Sequence, residues 1–158
     1  MSLYIKIMKK KDWGNAVWLL FHTLAEKLKD EHFSELAVLV SHISQICSNL
    51  PCPDCQNHAI QTMNRVNQVA ITSSKEALIH FLWQFHNDVN KRTKTLYYPK
   101  ESLNIYKTAN TQNVVKNFIK IMSATSNNEK TMLHGFHRNL YMKQFINYIN
   151  QNIYKYNP

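Results

Sequence analysis

The sequence predicts an all-α fold, and three observations carry that expectation. Gly occurs twice and Pro four times in 158 residues, too few to punctuate a sandwich, a barrel or alternating strand and helix units. Apolar residues recur at helical spacing along most of the chain, and the stretches between them are short enough to join antiparallel neighbours. At 44% hydrophobic and 18% charged, the chain can bury a core of one-domain size.

The elements follow in order. Asp12 suits the cap of a first helix over 13–29, with Trp13, Val17, Leu20, Leu24 and Leu28 on one face. Leu36, Leu39, Val40, Ile43, Ile46, Cys47 and Leu50 mark a second helix over 36–50, stopped by the Pro51-Cys52-Pro53 turn. Pro53 fits the first position of a third helix that Cys52 caps and that runs to about residue 66. Ser73 and Glu76 have the spacing of a capping box for a fourth helix over 74–91. Pro99 precedes a short helical piece through Tyr106, and amphipathic segments follow at 112–124 and 131–154. Ser, Thr and Asn between 123 and 130 predict a hinge there. The expected architecture is a four-helix bundle with a short fifth helix in residues 1–110, followed by a C-terminal helical extension in 111–158.

Composition bounds the function. Nineteen Lys and Arg against ten Asp and Glu leave a formal charge of +9, which favours phosphate-bearing partners: nucleic acid, an anionic surface or a phosphorylated cofactor. The longest apolar run, from Ala16 to Phe21, has six residues, far below the roughly 20 of a membrane span, so no span is expected. Lys6, Lys9, Lys10 and Lys11 stand where a signal peptide needs an apolar stretch, so secretion by that route is not expected. Three cysteines, Cys47, Cys52 and Cys55, are too few for a disulfide scaffold, and the last two form a C-x-x-C. That spacing points to redox or metal chemistry.

On a helix, residues three apart share a face, so Cys52 and Cys55 can open and close a disulfide after a modest adjustment. Free amides at a helix start favour a thiolate and make it a good leaving group. A zinc site on Cys52, Cys55, His58 and His86, serving a nucleic-acid or interaction module, is the competing reading. Cys47 lies on the apolar stripe of the second helix and reads as a structural residue. The fourth helix carries two stripes: Leu78, Leu82, Phe85 and Val89 face a core, while Trp83, His86, Asn87 and Asn90 form a second face. An indole, an imidazole and two amides suit a flat, polar ligand; Lys91, Arg92 and Lys94 follow, where basic residues could neutralise phosphates but more often simply complement the dipole at a helix end. Gly14 early in the first helix costs up to about 1 kcal/mol relative to Ala, which is easier to justify if something approaches the backbone closely. It shares a face with Trp18 and His22.

Together, Trp13-Gly14, Trp18, His22-Thr23, Cys52-x-x-Cys55-x-x-His58 and Trp83-x-x-His86-Asn87-x-Val89-Asn90 resemble the Erv/ALR family of FAD-linked sulfhydryl oxidases over about residues 11–107. The run from Leu50 through Ala59 is most like the short forms encoded by large DNA viruses of the cytoplasm. The resemblance implies a helical bundle holding FAD noncovalently. Cys52 and Cys55 would be the redox pair. Trp13, Gly14, Trp18, His22, Cys55, His58, Trp83, His86, Asn87, Val89 and Asn90 would line the flavin, with Lys91 and Arg92 near its phosphates and no metal. It further implies oxidation of protein dithiols, those of a thioredoxin-like or other viral redox protein among the candidates, with dioxygen as acceptor. A homodimer, a location in the host cytoplasm or virion, and no nucleic-acid partner complete the expectation. The family pattern has no counterpart of the last 50 residues. Their stripe of Phe136, Leu140, Phe145, Ile149 and Ile153 is expected either to reinforce the subunit contact or to cover the bundle near the C-x-x-C.

Overall fold

The computed structural model describes the backbone of residues 3–125 and 132–158, and the side chains of 12–123 and 135–158. Its helices are α1 (Leu3–Lys27), α2 (Leu36–Cys47), α3 (Pro53–Arg65), the one-turn α4 (Gln68–Ile71), α5 (Lys75–Arg92), α6 (Thr111–Thr125) and α7 (Met132–Asn152). Among the described residues, three 3-10 segments, Asp30–Glu35, Lys100–Lys107 and Ile153–Lys155, accompany these helices. An all-α architecture is therefore observed, with one isolated antiparallel bridge between Leu28 and Tyr156 among the described residues. Most of the hinge expected at 123–130 lies outside those residues.

Side chains explain where several boundaries differ from expectation. No Gly or Pro interrupts the stretch before Asp12, so α1 begins earlier, and Asp12 is an exposed residue within it rather than its cap. The second helix stops at Cys47 rather than at residue 50. There Ser48 Oγ donates to the Ser44 carbonyl and Asn49 Nδ2 to the Gln45 carbonyl, so polar side chains compete with the backbone for the last carbonyls. Ser74, not Ser73, caps α5 by accepting from Ala77 N, while Ser73 Oγ donates to the Ala70 carbonyl. Asn67 caps the added turn α4.

α1 is the axis of the molecule. Leu20, Phe21, His22, Thr23, Leu24 and Ala25 are all buried in succession, so the helix is covered around its whole circumference there. α5, α6 and the 100–107 segment pack directly on it, and α2 adds a further side. The C-terminal extension contributes to the same apolar core: Val114, Val115, Phe118 and Met122 of α6 join Tyr141, Met142, Phe145, Tyr148 and Ile149 of α7. One core thus draws on both sides of residue 110. The α7 stripe is split, with Phe145 and Ile149 inside and Phe136 and Leu140 exposed.

Polar bonds lock the chain end to α1. Lys27, itself buried, donates to the carbonyls of Lys107 and Pro158 at 2.9 and 3.0 Å. Asn157 N donates to the Lys27 carbonyl, and Lys29 N to that of Lys155. Lys155 pairs with the buried Glu35 at 2.8 Å, and the Tyr148 and Tyr156 hydroxyls meet at 2.6 Å.

Phe145 is fully buried and meets Phe118 edge to face at a centroid distance of 5.3 Å. Phe145→Ala should destabilise the protein by about 3–5 kcal/mol, whereas Phe136→Ala, at an exposed site, should change stability by less than about 0.5 kcal/mol. Denaturant titration of both variants checks the contrast; equal losses would contradict this packing.

Candidate functional site

The Pro51-Cys52-Pro53 turn starts α3 and positions both sulfurs. Cys52 has extended backbone geometry, its Sγ accepts from Cys55 N at 3.3 Å, and Pro53 occupies the first turn, where a missing N–H costs nothing. Both cysteines are half-buried and are not joined in a disulfide.

Cys55 opens into an aromatic slot. Its walls are Trp13, Gly14, Val17, Trp18 and Phe21 of α1, Cys47 of α2 and Leu50 of the turn that follows it, His58 and Ala59 of α3, and Phe85, Val89, Arg92 and Thr93 at the end of α5. The enclosed space is about 130 Å³, and His58, Arg92 and Thr93 on its rim are exposed. A Cβ added at Gly14 would meet no atom within 4 Å; no neighbouring protein atom requires the glycine. Cys47 is buried, and burial pushes its thiol up to about 12, which makes it inert at neutral pH.

Behind Trp18 lies a stack of rings. His86 lies flat against Trp18 at 4.3 Å between centroids, and Tyr98 stacks on His86 at 4.4 Å. His22 Nε2 and His86 Nδ1 share a hydrogen bond of 2.9 Å, and Tyr106 lies over His22 at 4.8 Å. Burial drives both imidazoles toward the neutral form. His22 is lowered to about 3, with the adjoining His86 adding to the effect, and His86 to about 4. The Tyr98 and Tyr106 hydroxyls meet at 2.6 Å, and burial, helped by that bond, holds the Tyr106 phenol well above its ordinary range.

The rest of the α5 face holds a loop. Trp83 Nε1 and Asn87 Nδ2 both donate to the Tyr98 carbonyl, at 2.9 and 3.0 Å, and Asn87 Oδ1 accepts from Tyr98 N at 2.7 Å. Asn90 Nδ2 donates to the Leu96 carbonyl at 2.9 Å. Of the residues expected around a ligand, Trp13, Gly14, Trp18, Cys55, His58, Val89 and Arg92 share the slot. His22 and His86 form the stack behind it, while Trp83, Asn87 and Asn90 grip the 94–99 loop. Lys91 is exposed and is not part of the slot wall. Sequence reading missed Tyr98 and Tyr106, whose one visible signal was a tyrosine on either side of the proline-led helical piece. The four-residue zinc set is not assembled: among the described residues no three His, Cys, Asp or Glu form a metal-binding group. His86 is turned inward to His22 instead.

The description of the Erv1 / Alr family matches residues 15–112. The chain belongs to the Erv1/Alr family. Relatives bearing the same family character include a putative FAD-linked sulfhydryl oxidase, 096R, of Invertebrate iridescent virus 3, 36% identical over 83 residues that make up 52% of this chain and 56% of that protein. The probable FAD-linked sulfhydryl oxidase FPV093 of Fowlpox virus (strain NVSL) is 25% identical over 80 residues, 51% of this chain and 81% of that one. The FAD-linked sulfhydryl oxidase ERV1 of Arabidopsis thaliana is 29% identical over 93 residues, 58% and 48% of the two chains. The chain thus spans about half the length of the iridescent-virus and plant relatives. No solved structure matches it. The match to the Erv1/Alr description ends at residue 112, so almost all of α6 and the whole of α7 lie beyond it.

The buried histidine pair makes stability depend on pH. The unfolded chain, with imidazoles near the ordinary 6.5, binds protons that the folded His22 and His86 refuse. Stability is therefore complete above about pH 6.5 and falls as acid approaches the folded values, His22 alone contributing up to about 1.4 kcal/mol per pH unit. His22→Gln should flatten the decline of melting temperature with acid; a variant with the same decline as the parent would contradict the assignment.

Proposed function

We propose that the protein is an FAD-dependent thiol oxidase that forms disulfides in protein dithiols through Cys52 and Cys55, with dioxygen as the final acceptor and hydrogen peroxide as product. The observation that carries this reading is the division of labour at the start of α3: Cys55 opens into an aromatic slot while Cys52 caps the helix. Membership of a family whose relatives are named FAD-linked sulfhydryl oxidases supports it.

The residues present fit a flavin. Trp13, Trp18, Phe21 and Phe85 make flat apolar walls, His58 and Arg92 offer polar and cationic groups at the mouth, and the open side of Gly14 leaves the helix backbone accessible. FAD would supply, when bound, two-electron acceptance from a thiolate and delivery of those electrons to dioxygen. Trp13, Gly14, Trp18, Cys55, His58, Val89 and Arg92 would hold it directly. His22 and His86 would support Trp18 as a neutral stack, Trp83, Asn87 and Asn90 would fix the adjoining loop, and Lys91 would add positive charge near the phosphates.

The protein's own chemistry is thiol exchange. Starting from a Cys52–Cys55 disulfide, a substrate thiolate attacks Cys52 Sγ, a substrate–Cys52 bond forms, the Cys52–Cys55 bond breaks, and Cys55 leaves as a thiolate facing the slot. The substrate's second thiolate then attacks the sulfur joined to Cys52, which releases Cys52 as a thiolate and the substrate as a disulfide. Two electrons have moved from the substrate to the cysteine pair. The amide of Cys55 supports Cys52 Sγ through the 3.3 Å hydrogen bond seen at the helix cap.

Viral relatives favour a location in the host cytoplasm or virion; among the described residues no helix is long and apolar enough to cross a membrane. Exposed Phe33 and Val38 beside and on α2 offer apolar surface for pairing two copies.

Cys52→Ser and Cys55→Ser should each abolish oxidation of dithiols while flavin remains bound, and Cys47→Ser should keep most activity; oxygen uptake and visible absorbance measure the two outcomes. Loss of activity in Cys47→Ser equal to that in the others would overturn the assignment. Gly14→Ala separates ligand from scaffold. It should leave the flavin-free protein as stable or up to about 1 kcal/mol more stable, yet lower flavin occupancy. Unchanged flavin content in that variant would show that the slot is not the binding site.

A further inference from the structure

A second groove is lined by residues that flank the Cys52 turn. It is bounded by Gln45, Ser48 and Asn49 at the end of α2, by Gln56 of α3, and by His137, Leu140, Tyr141 and Gln144 of α7. We propose that this groove docks an extended segment of the protein dithiol substrate and delivers its cysteine to Cys52. The proposal rests on the thiol-oxidase reading above and extends it to substrate choice.

Position is the first argument. Gln56 stands four residues after Cys52 in the first turns of α3, and its N–H donates to the Cys52 carbonyl at 2.9 Å. Asn49 stands three residues before Cys52, so the groove wall runs into the reactive turn from both directions. Cys55, by contrast, lines the aromatic slot. Cys55 thus belongs to the slot, while the groove begins at the residues that flank Cys52 on either side in the chain, an arrangement that suits a relay between a macromolecule and a buried acceptor.

Construction is the second. Arg138 is 2% exposed and donates Nε to the Asn49 carbonyl at 2.9 Å. Gln56 Nε2 donates to the Leu50 carbonyl. Tyr141 Oη donates to the His42 carbonyl at 3.1 Å and meets His42 Nδ1 at 3.0 Å. These bonds hold α7 against the end of α2 and stiffen the turn that carries Cys52. The groove is thus a built feature of the extension, not a gap beside a loosely attached helix.

Lining chemistry is the third. The groove measures about 500 Å³, within the roughly 300–1,000 Å³ range of ligand sites. Its walls carry carboxamides and a hydroxyl from Gln45, Ser48, Asn49, Gln56 and Gln144, groups that both donate and accept. No Lys, Arg, Asp or Glu is among them, so the site suits neutral peptide groups rather than a phosphate or a charged peptide. Leu140 and Phe136, one turn apart on α7 and 44% and 59% exposed, add apolar contacts for substrate side chains. A polypeptide backbone with an occasional apolar residue is the ligand this lining matches. A small dithiol needs none of it.

The test compares reduced, unfolded ribonuclease with dithiothreitol as substrates of the flavin-loaded protein. Leu140→Glu sits at an exposed position and Ser48→Trp fills the groove from α2, so the two variants disturb it independently. In both, kcat/KM for the protein substrate should fall at least tenfold relative to kcat/KM for dithiothreitol, through a rise in KM. A protein-to-dithiothreitol ratio unchanged in both variants would overturn the groove, as would a wild-type protein that oxidises dithiothreitol but not reduced ribonuclease. A wild-type protein with bound flavin that oxidises neither would instead bring down the thiol-oxidase reading itself.

Discussion

The structure depends on one helix that must be covered on every side. Six consecutive residues of α1, Leu20 through Ala25, are buried, and two of the neighbours packed on α1 also supply walls of the slot. α5 contributes Phe85, Val89 and Arg92 to the slot, and α2 with the turn after it contributes Cys47 and Leu50. α6 and the chain end close the remaining side, where Lys27 is held by two carbonyls from distant segments. Close packing around α1 is what brings Gly14 and Trp18 to the same slot as Cys55.

A polar pair inside this apolar sleeve would be costly if charged. His22 and His86 avoid that cost by remaining neutral and sharing a proton donor and acceptor. They stand between Trp18, which faces the slot, and Tyr98, which faces the loop gripped by Asn87. The ring stack consequently links the 94–99 loop to the slot wall through rigid aromatic contacts.

Much of this was legible in the sequence, for identifiable reasons. Cys52 as cap and Pro53 at the first turn followed from local chemistry that tertiary packing does not alter. The core face of α5 was plain because Leu78, Leu82 and Phe85 recur on a single stripe. The other face was legible only as polar: whether Asn87 and Asn90 bind a ligand or a backbone depends on where residues 94–99 travel, which no local pattern encodes. The extension was harder still. The apolar run from Ala16 to Phe21 is too short for a membrane span, and it leads into the stretch of α1 that is enclosed on all sides, Leu20 to Ala25; α6 packs on the same helix. Serine placement at α5 and the early end of α2 turned on single hydrogen bonds, a level of detail below the reach of periodicity.

The central claim of the proposed function is that reducing equivalents pass from a dithiol through Cys55 into a flavin in the aromatic slot. The most direct measurement is the visible spectrum of purified protein under anaerobic conditions, before and after one equivalent of dithiothreitol, and again after air is admitted. The account predicts the yellow absorption of an oxidised flavin, its bleaching by the dithiol, and its return with oxygen. A protein that binds no flavin when refolded with FAD, or one whose colour the dithiol leaves untouched, would contradict it.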